Sequence, residues 1–128
     1  MKWYNKVLMQ YADFSGRARR KEYWMFTLFN VIFIFILLLI MMVSIDRLSI
    51  GYGGAMQYFG VILYYLYTLA VLIPSLAVCV RRLHDIGKSG WNLLLGLIPL
   101  IGGIILIVWY CQDSEAGENK WGANPKTL

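Results

Sequence analysis

The chain has 128 residues, 59% hydrophobic and 15% charged, with a mean hydropathy of +0.59 and a formal net charge of +5. A soluble domain carries roughly 25% charged and 45–50% apolar residues, so a soluble fold wrapped by its own polar residues is excluded and one small membrane domain is the economical reading. The two cysteines, Cys79 and Cys111, form no CxxC or Cys/His cluster that would suggest a metal.

Residues 1–15 place Trp3, Tyr4, Val7, Leu8, Tyr11 and Phe14 on one stripe of a helix. Lys2, Lys6, Gln10 and Asp13 fall largely off it. Such a helix suits a membrane interface, or packs on the protein's own bundle. Ser15-Gly16 breaks the stripe, and Ser15 is expected to cap a new helix through its side-chain oxygen. The basic run Arg17, Arg19, Arg20, Lys21 follows, then Glu22.

The first apolar run, 24–45, spans 22 residues, about 33 Å at helical rise, enough to cross a bilayer. It is too long for a signal peptide, and no A-x-A site follows. Asp46 to Gln57 reads as a polar loop with Gly51, Gly53 and Gly54. The second run, 58–80, contains Pro74, which should kink its helix. A short charged hairpin, Val80 to Trp91, holds Arg81, Arg82, His84, Asp85 and Lys88. The third run, 91–111, contains Gly96, Pro99, Gly102 and Gly103, which allow bending and close helix contact. The tail, 112–128, is polar, with little regular structure expected.

Three spans put the N-terminus and the hairpin on one face and the tail on the other. The N-terminal segment and hairpin carry nine Lys and Arg residues, against three (Arg47, Lys120, Lys126) elsewhere. The positive-inside rule then makes the N-terminus cytoplasmic and the C-terminus periplasmic. Cys79 and Cys111 would lie on opposite faces, against a mutual disulfide. Tyr23, Trp24, Tyr58, Trp91, Trp109 and Tyr110 sit near span ends, as an aromatic belt does.

No charge lies inside a span, which counts against a pump or charge-coupled transporter. Asn30, Thr68 and Ser75 read as helix–helix hydrogen-bonding groups. His84 and Asp85 are adjacent, so on a helix they point about 100° apart and need not act as an acid–base pair. If the second helix continues past Val80, Arg81 and Arg82 can pair locally with Asp85, Gly87 can end it and Gly90 can start the next. The same cations could hold anionic lipid head groups. Topology and lipid contact explain the Arg17–Lys21 run before nucleic acid does. Asp113, Glu115, Glu118 and Asn119 lack calcium-loop spacing. Glu22 is expected to pair across helices with Arg81 or Arg82, in bidentate form, rather than locally with Arg19.

The segments 14–24 (FSGRARRKEYW), Pro74 with 81–85 (RRLHD), 89–91 (SGW) and 117–125 (GENKWGANP) together resemble the signature of an uncharacterised bacterial family, domain of unknown function 805. The resemblance covers nearly the whole chain and implies a bacterial inner-membrane protein. It supplies no activity.

The expected fold is all-α and integral to the membrane: three transmembrane helices (24–45, 58–80, 91–111), an interfacial helix within the basic segment 1–22, and a polar tail. The leading function is a non-enzymatic subunit or scaffold binding protein partners, a second copy of itself, or anionic lipid. An oligomeric transport component is second and a lipid head-group enzyme third. No catalytic residue, metal, cofactor or nucleic-acid partner is expected. The candidate structural or lipid-contact residues are Arg17, Arg19, Glu22, Arg81, Arg82, His84, Asp85 and Trp91. A pocket holding both His84 and Asp85 would favour the enzyme.

Overall fold

A computed structural model describes residues 2–51 and 55–127, apart from the side chains of residues 47–49, 56 and 57. The side chain of Arg47, and Gly53 and Gly54 of the expected loop, lie outside the described residues. The order is α1 (Lys2–Met9), α2 (Arg20–Ser49), a 3-10 turn (Ala55–Tyr58), α3 (Phe59–Asp85), a 3-10 helix (Gly90–Leu97) and α4 (Ile101–Cys111). The all-α expectation holds. α2 and α3 are long and apolar enough to cross a membrane, and α4 is a shorter apolar helix.

The chain divides into two units. Residues 27–73 form an antiparallel pair from parts of α2 and α3. Tyr67 donates to Asn30 Oδ1 at 2.6 Å and packs edge-on against Phe33. Further along, Gly60 lies so close to Ile40 that an added Cβ would fall 2.8 Å from its carbonyl oxygen. Asn30 therefore bridges helices as expected, whereas Thr68 bonds within its own helix, to the Tyr64 carbonyl. The outward face is apolar: Phe35, Met42, Leu66 and Leu69 are exposed, as lipid contact demands.

The second unit joins residues 2–26 to residues 74–127. α1 packs on the protein itself: Tyr4 and Val7 are buried, and Tyr4 stacks on Phe26 at 5.2 Å. Ser15 does not cap α2. Its N–H and hydroxyl both turn back to Asp13 Oδ1, at 3.0 and 2.7 Å, and α2 starts at Arg20. α3 runs through Pro74 to Asp85, five residues beyond the expected span. It ends as anticipated at Gly87, whose φ of 78° suits glycine. Lys88 N–H bonds the Leu83 carbonyl and Gly87 N–H bonds that of His84, closing a Schellman cap.

The single helix expected over 91–111 is instead two short ones. The chain reverses at Pro99-Leu100, where Ile101 N–H bonds the Pro99 carbonyl at 2.8 Å. Leu100 sits at φ 64°, ψ −63°, a strained γ-turn geometry. The 11 residues of α4 cover only about 16 Å, half a hydrocarbon core of about 30 Å. Gly102 permits this packing: an added Cβ would lie 1.6 Å from the Leu95 carbonyl oxygen. Leu106 and Tyr110 of α4 then cluster with Leu83, flanked by Tyr23 and Trp24.

The tail consequently differs from expectation. Three full spans would carry residues 112–125 away from Asp85, yet Glu115 N–H bonds the Asp85 carbonyl at 2.8 Å.

The two α4 glycines give opposite expectations. Gly102→Ala should destabilise by about 1–3 kcal/mol through overpacking. Gly103→Ala meets nothing within 4 Å and should gain roughly 0.5–1 kcal/mol of helix propensity. Thermal unfolding of both variants in detergent checks the sign; equal shifts would contradict the fold-back.

Candidate functional site

Asp85 sits at the last turn of α3 with a fully buried side chain. Its carboxylate accepts from Arg17 Nε at 3.1 Å, Arg82 Nη1 at 2.6 Å and Ser114 Oγ at 2.5 Å. Arg17 comes from the extended segment before α2, and its side chain is 2% exposed. Besides Asp85 Oδ1 it donates to the carbonyls of Gly117, Gly122, Asp85 and Glu115, at 2.8–3.2 Å. Every N–H of the guanidinium is thereby used. Arg82 donates to the carbonyls of Tyr110, Ala18 and Gln112 as well. Arg20 reaches the Cys111 carbonyl at 3.1 Å.

Two arginines share one carboxylate, so these buried side chains hold a net positive charge. A buried charge is expensive unless fully hydrogen-bonded. Here carbonyls supply the balance. Those of Asp85, Tyr110, Cys111 and Gln112 belong to the C-terminal ends of α3 and α4, where the helix dipole is negative. The α3 end offers its carbonyl to Arg17, and the α4 end offers its carbonyls to Arg82 and Arg20.

Glu22 forms a second, separate pair. It is buried, and Oε1 lies 3.8 Å from Arg81 Nη2. The cross-helix partner is Arg81 rather than Arg82, and the pair is not bidentate. Lys6 of α1 is closer, 2.8 Å from Oε2. Arg81 Nε, Nη1 and Nη2, and Glu22 Oε1, make no hydrogen bond among the described residues. Arg81 and Arg82 thus divide: Arg82 takes the local partner Asp85, and Arg81 turns to Glu22.

His84 Nδ1 lies 3.0 Å from the Gly16 carbonyl oxygen, and the ring stacks on Trp121 at 4.4 Å and 6°. Asn119 donates to the His84 carbonyl at 2.9 Å. Ser15 donates to Asp13 first through its hydroxyl and then through its N–H, and holds that carboxyl below its usual range.

Two cavities flank the cluster. One, about 490 Å³, is basic and lined by Trp3, Lys6, Arg17, Arg19, Trp121 and Pro125. Trp3 lies under Arg19 at 5.3 Å, Lys21 at 5.7 Å and Lys6 at 5.8 Å. Arg19 Nε is buried without a hydrogen-bond partner among the described residues. The other cavity, about 590 Å³, is mostly apolar and contains Trp91 and His84 but not Asp85. The eight sequence candidates therefore do not form one site. Arg17, Arg82 and Asp85 make the clamp, Glu22 and Arg81 a pair, Arg19 borders the basic cavity, and His84 and Trp91 border the apolar one. Lys6, Ser114, Asn119 and Trp121 went unforeseen. Only Asn119 and Trp121 carried a hint, in the tail motif that resembled the family.

Residues 11–123 match the family described as protein of unknown function (DUF805). The chain belongs to this family. Among its relatives, inner membrane protein YhaH of Escherichia coli (strain K12) is 50% identical over 127 residues, 98% of each chain. Inner membrane protein YhaI of the same strain is 43% identical over 126 residues, covering 98% of this chain and 97% of the relative. No solved structure matches. The segments that carried the resemblance thus coincide with structural joints: the first arginine of FSGRARR and the RRLHD run build the clamp, and the GENKWGANP tail closes it.

The Glu22–Arg81 pair is testable apart from the clamp. A double-mutant cycle on Glu22→Gln and Arg81→Gln should show coupling above about 0.5 kcal/mol, beyond that of an exposed helix pair. The same cycle with Arg82→Gln should be additive within about 0.5 kcal/mol. Coupling to Arg82 alone would reverse the assignment.

Proposed function

We propose that this chain is a non-enzymatic scaffold of the bacterial inner membrane, with two spans, both termini cytoplasmic, and a basic cytoplasmic cap that binds anionic lipid. The observation that carries the reading is the basic cavity, in which Arg19 and Lys6 flank Trp3 beside the clamp. A cation–aromatic cavity at a membrane face suits a phosphate head group, and each such cation contributes about 1 kcal/mol. The inner-membrane location rests on the relatives' names and on α2 and α3.

The hydrogen bonds of the tail support this topology. Arg17 and Asp85 both bind residues 115–117, which supports tail, hairpin and N-terminus on one side. The charge distribution agrees better with two spans than with three. Lys120 and Lys126 join the N-terminal and hairpin cations, leaving Arg47 the only Lys or Arg between the spans in the sequence. The saturation of Asp85 argues against the enzyme: Arg17, Arg82 and Ser114 occupy the carboxylate, and His84 faces a different cavity.

C-terminal fusions test the orientation. A fluorescent-protein fusion should be bright and an alkaline phosphatase fusion inactive; the reverse pattern would reject the two-span reading. In nanodiscs of mixed phosphatidylglycerol and phosphatidylcholine, native mass spectrometry should find phosphatidylglycerol retained. Arg19→Gln should weaken that retention roughly fivefold, the equivalent of about 1 kcal/mol. Equal retention of both lipids would defeat the lipid reading.

A further inference from the structure

The apolar cavity is independent of the lipid-phosphate reading, and its one imidazole gives it a definite polarity. Phe14, Leu76, Val80, Trp91, Leu94 and Trp121 supply most of the wall of this space of about 590 Å³. Trp91 is 80% exposed, so its ring borders the cavity without being part of the core. Of the polar side chains on the wall, Ser89 Oγ already accepts from Trp91 N–H at 3.4 Å, and the acceptor left is His84 Nε2.

The tautomer of His84 follows from its neighbours. A carbonyl oxygen only accepts, so the 3.0 Å contact with Gly16 requires the proton on Nδ1. In the neutral ring Nε2 is then a bare acceptor. It makes no hydrogen bond among the described residues. Gly90 borders it: a Cβ there would lie 3.6 Å from Nε2, in ordinary contact, and 2.8 Å from Val80 Cγ1. Face-to-face stacking on Trp121 fixes the ring plane, and the bond from Asn119 anchors its backbone. The nearest carboxylate in sequence, Asp85, is turned away and fully engaged by Arg17, Arg82 and Ser114.

This arrangement selects by chemistry. A carboxylate or phosphate would set lone pairs against the Nε2 lone pair. An ammonium would enter an apolar space with no carboxylate on its wall, at a large desolvation cost. A purely apolar molecule would leave Nε2 without a donor. What fits is an apolar ring or chain that brings one O–H.

We propose that the cavity bounded by Trp91, Trp121 and His84 is a binding site for a hydroxyl-bearing apolar molecule of the membrane, with His84 Nε2 accepting from the hydroxyl. A lipid alcohol and a hydroquinone share that chemistry.

His84 is the only histidine in the chain, so imidazole nitrogen-15 resonances report on it without assignment. The full-length protein, labelled at histidine in detergent micelles, is titrated with dioctanoylglycerol or with decylhydroquinone. The acetate ester of the first and the dimethyl ether of the second are the hydroxyl-blocked controls. Expected is a ligand-free spectrum with Nδ1 protonated and Nε2 bare, and a saturable movement of Nε2 by one or both hydroxyl probes but by neither control. A response to only one probe supports the site and identifies its source. Trp91→Ala should leave the ligand-free resonances in place and weaken binding roughly fivefold through the lost aromatic wall. A proton on Nε2 in the free protein, an equal response to the blocked probes, or no saturable movement with either alcohol would overturn the proposal.

Discussion

The buried carboxylate of Asp85 is the constraint to which the N-terminal segment, the end of α3 and the tail all answer. It is the shared counter-charge of Arg17 and Arg82, drawn from segments far apart in sequence. Removing one member of a buried ion pair typically costs about 3–5 kcal/mol, because the remaining charge is left uncompensated. A small domain has only about 5–15 kcal/mol of net stability, so no segment of this cluster is optional. One negative charge for two positive ones also explains why the guanidiniums recruit so many carbonyls, and why two helices end where they do.

That requirement accounts for the unusual course of the third apolar run. A continuous helix would satisfy its own carbonyls except at its end and would carry that end away from Asp85. Folding back at Leu100 brings the Tyr110, Cys111 and Gln112 carbonyls to Arg82 and Arg20. The cost is a strained turn at Leu100 and the close approach of Gly102 to Leu95. The return is the Leu83, Leu106 and Tyr110 cluster and a set of acceptors that water need not supply.

Local rules made much of this legible in the sequence. Period and length located α2 and α3, the three-residue spacing indicated the Arg82–Asp85 pair, and Gly87 marked the helix end. Glu22 at the edge of an apolar run pointed to an arginine across the helices, and Arg81 met it. The fold-back was not legible, because 21 apolar residues satisfy the length test for a span whether they run straight or reverse. Pro99 and the glycines permit either path, and what decides is the demand of Arg82 and Arg20 for carbonyl acceptors. Arg17 was equally hidden. Within a run of four cations, nothing local separates the one that is buried from those that stay solvated. Ser15 misled because a hydroxyl before a basic run reads as a helix cap, while its N–H and hydroxyl donate to Asp13 Oδ1 and α2 begins only at Arg20.

The clamp on the tail reads backbone. Arg17 holds residues 115, 117 and 122 through their carbonyl oxygens. These acceptors lie 98 to 105 residues after the arginine and are made after it. Until they emerge from the ribosome, the arginine has Asp85 but lacks three of its partners. Assembly of the clamp thus waits on residues made well after the arginine itself. A product cut short before residue 115 would carry an undersatisfied guanidinium, which residues 115–122 otherwise cover.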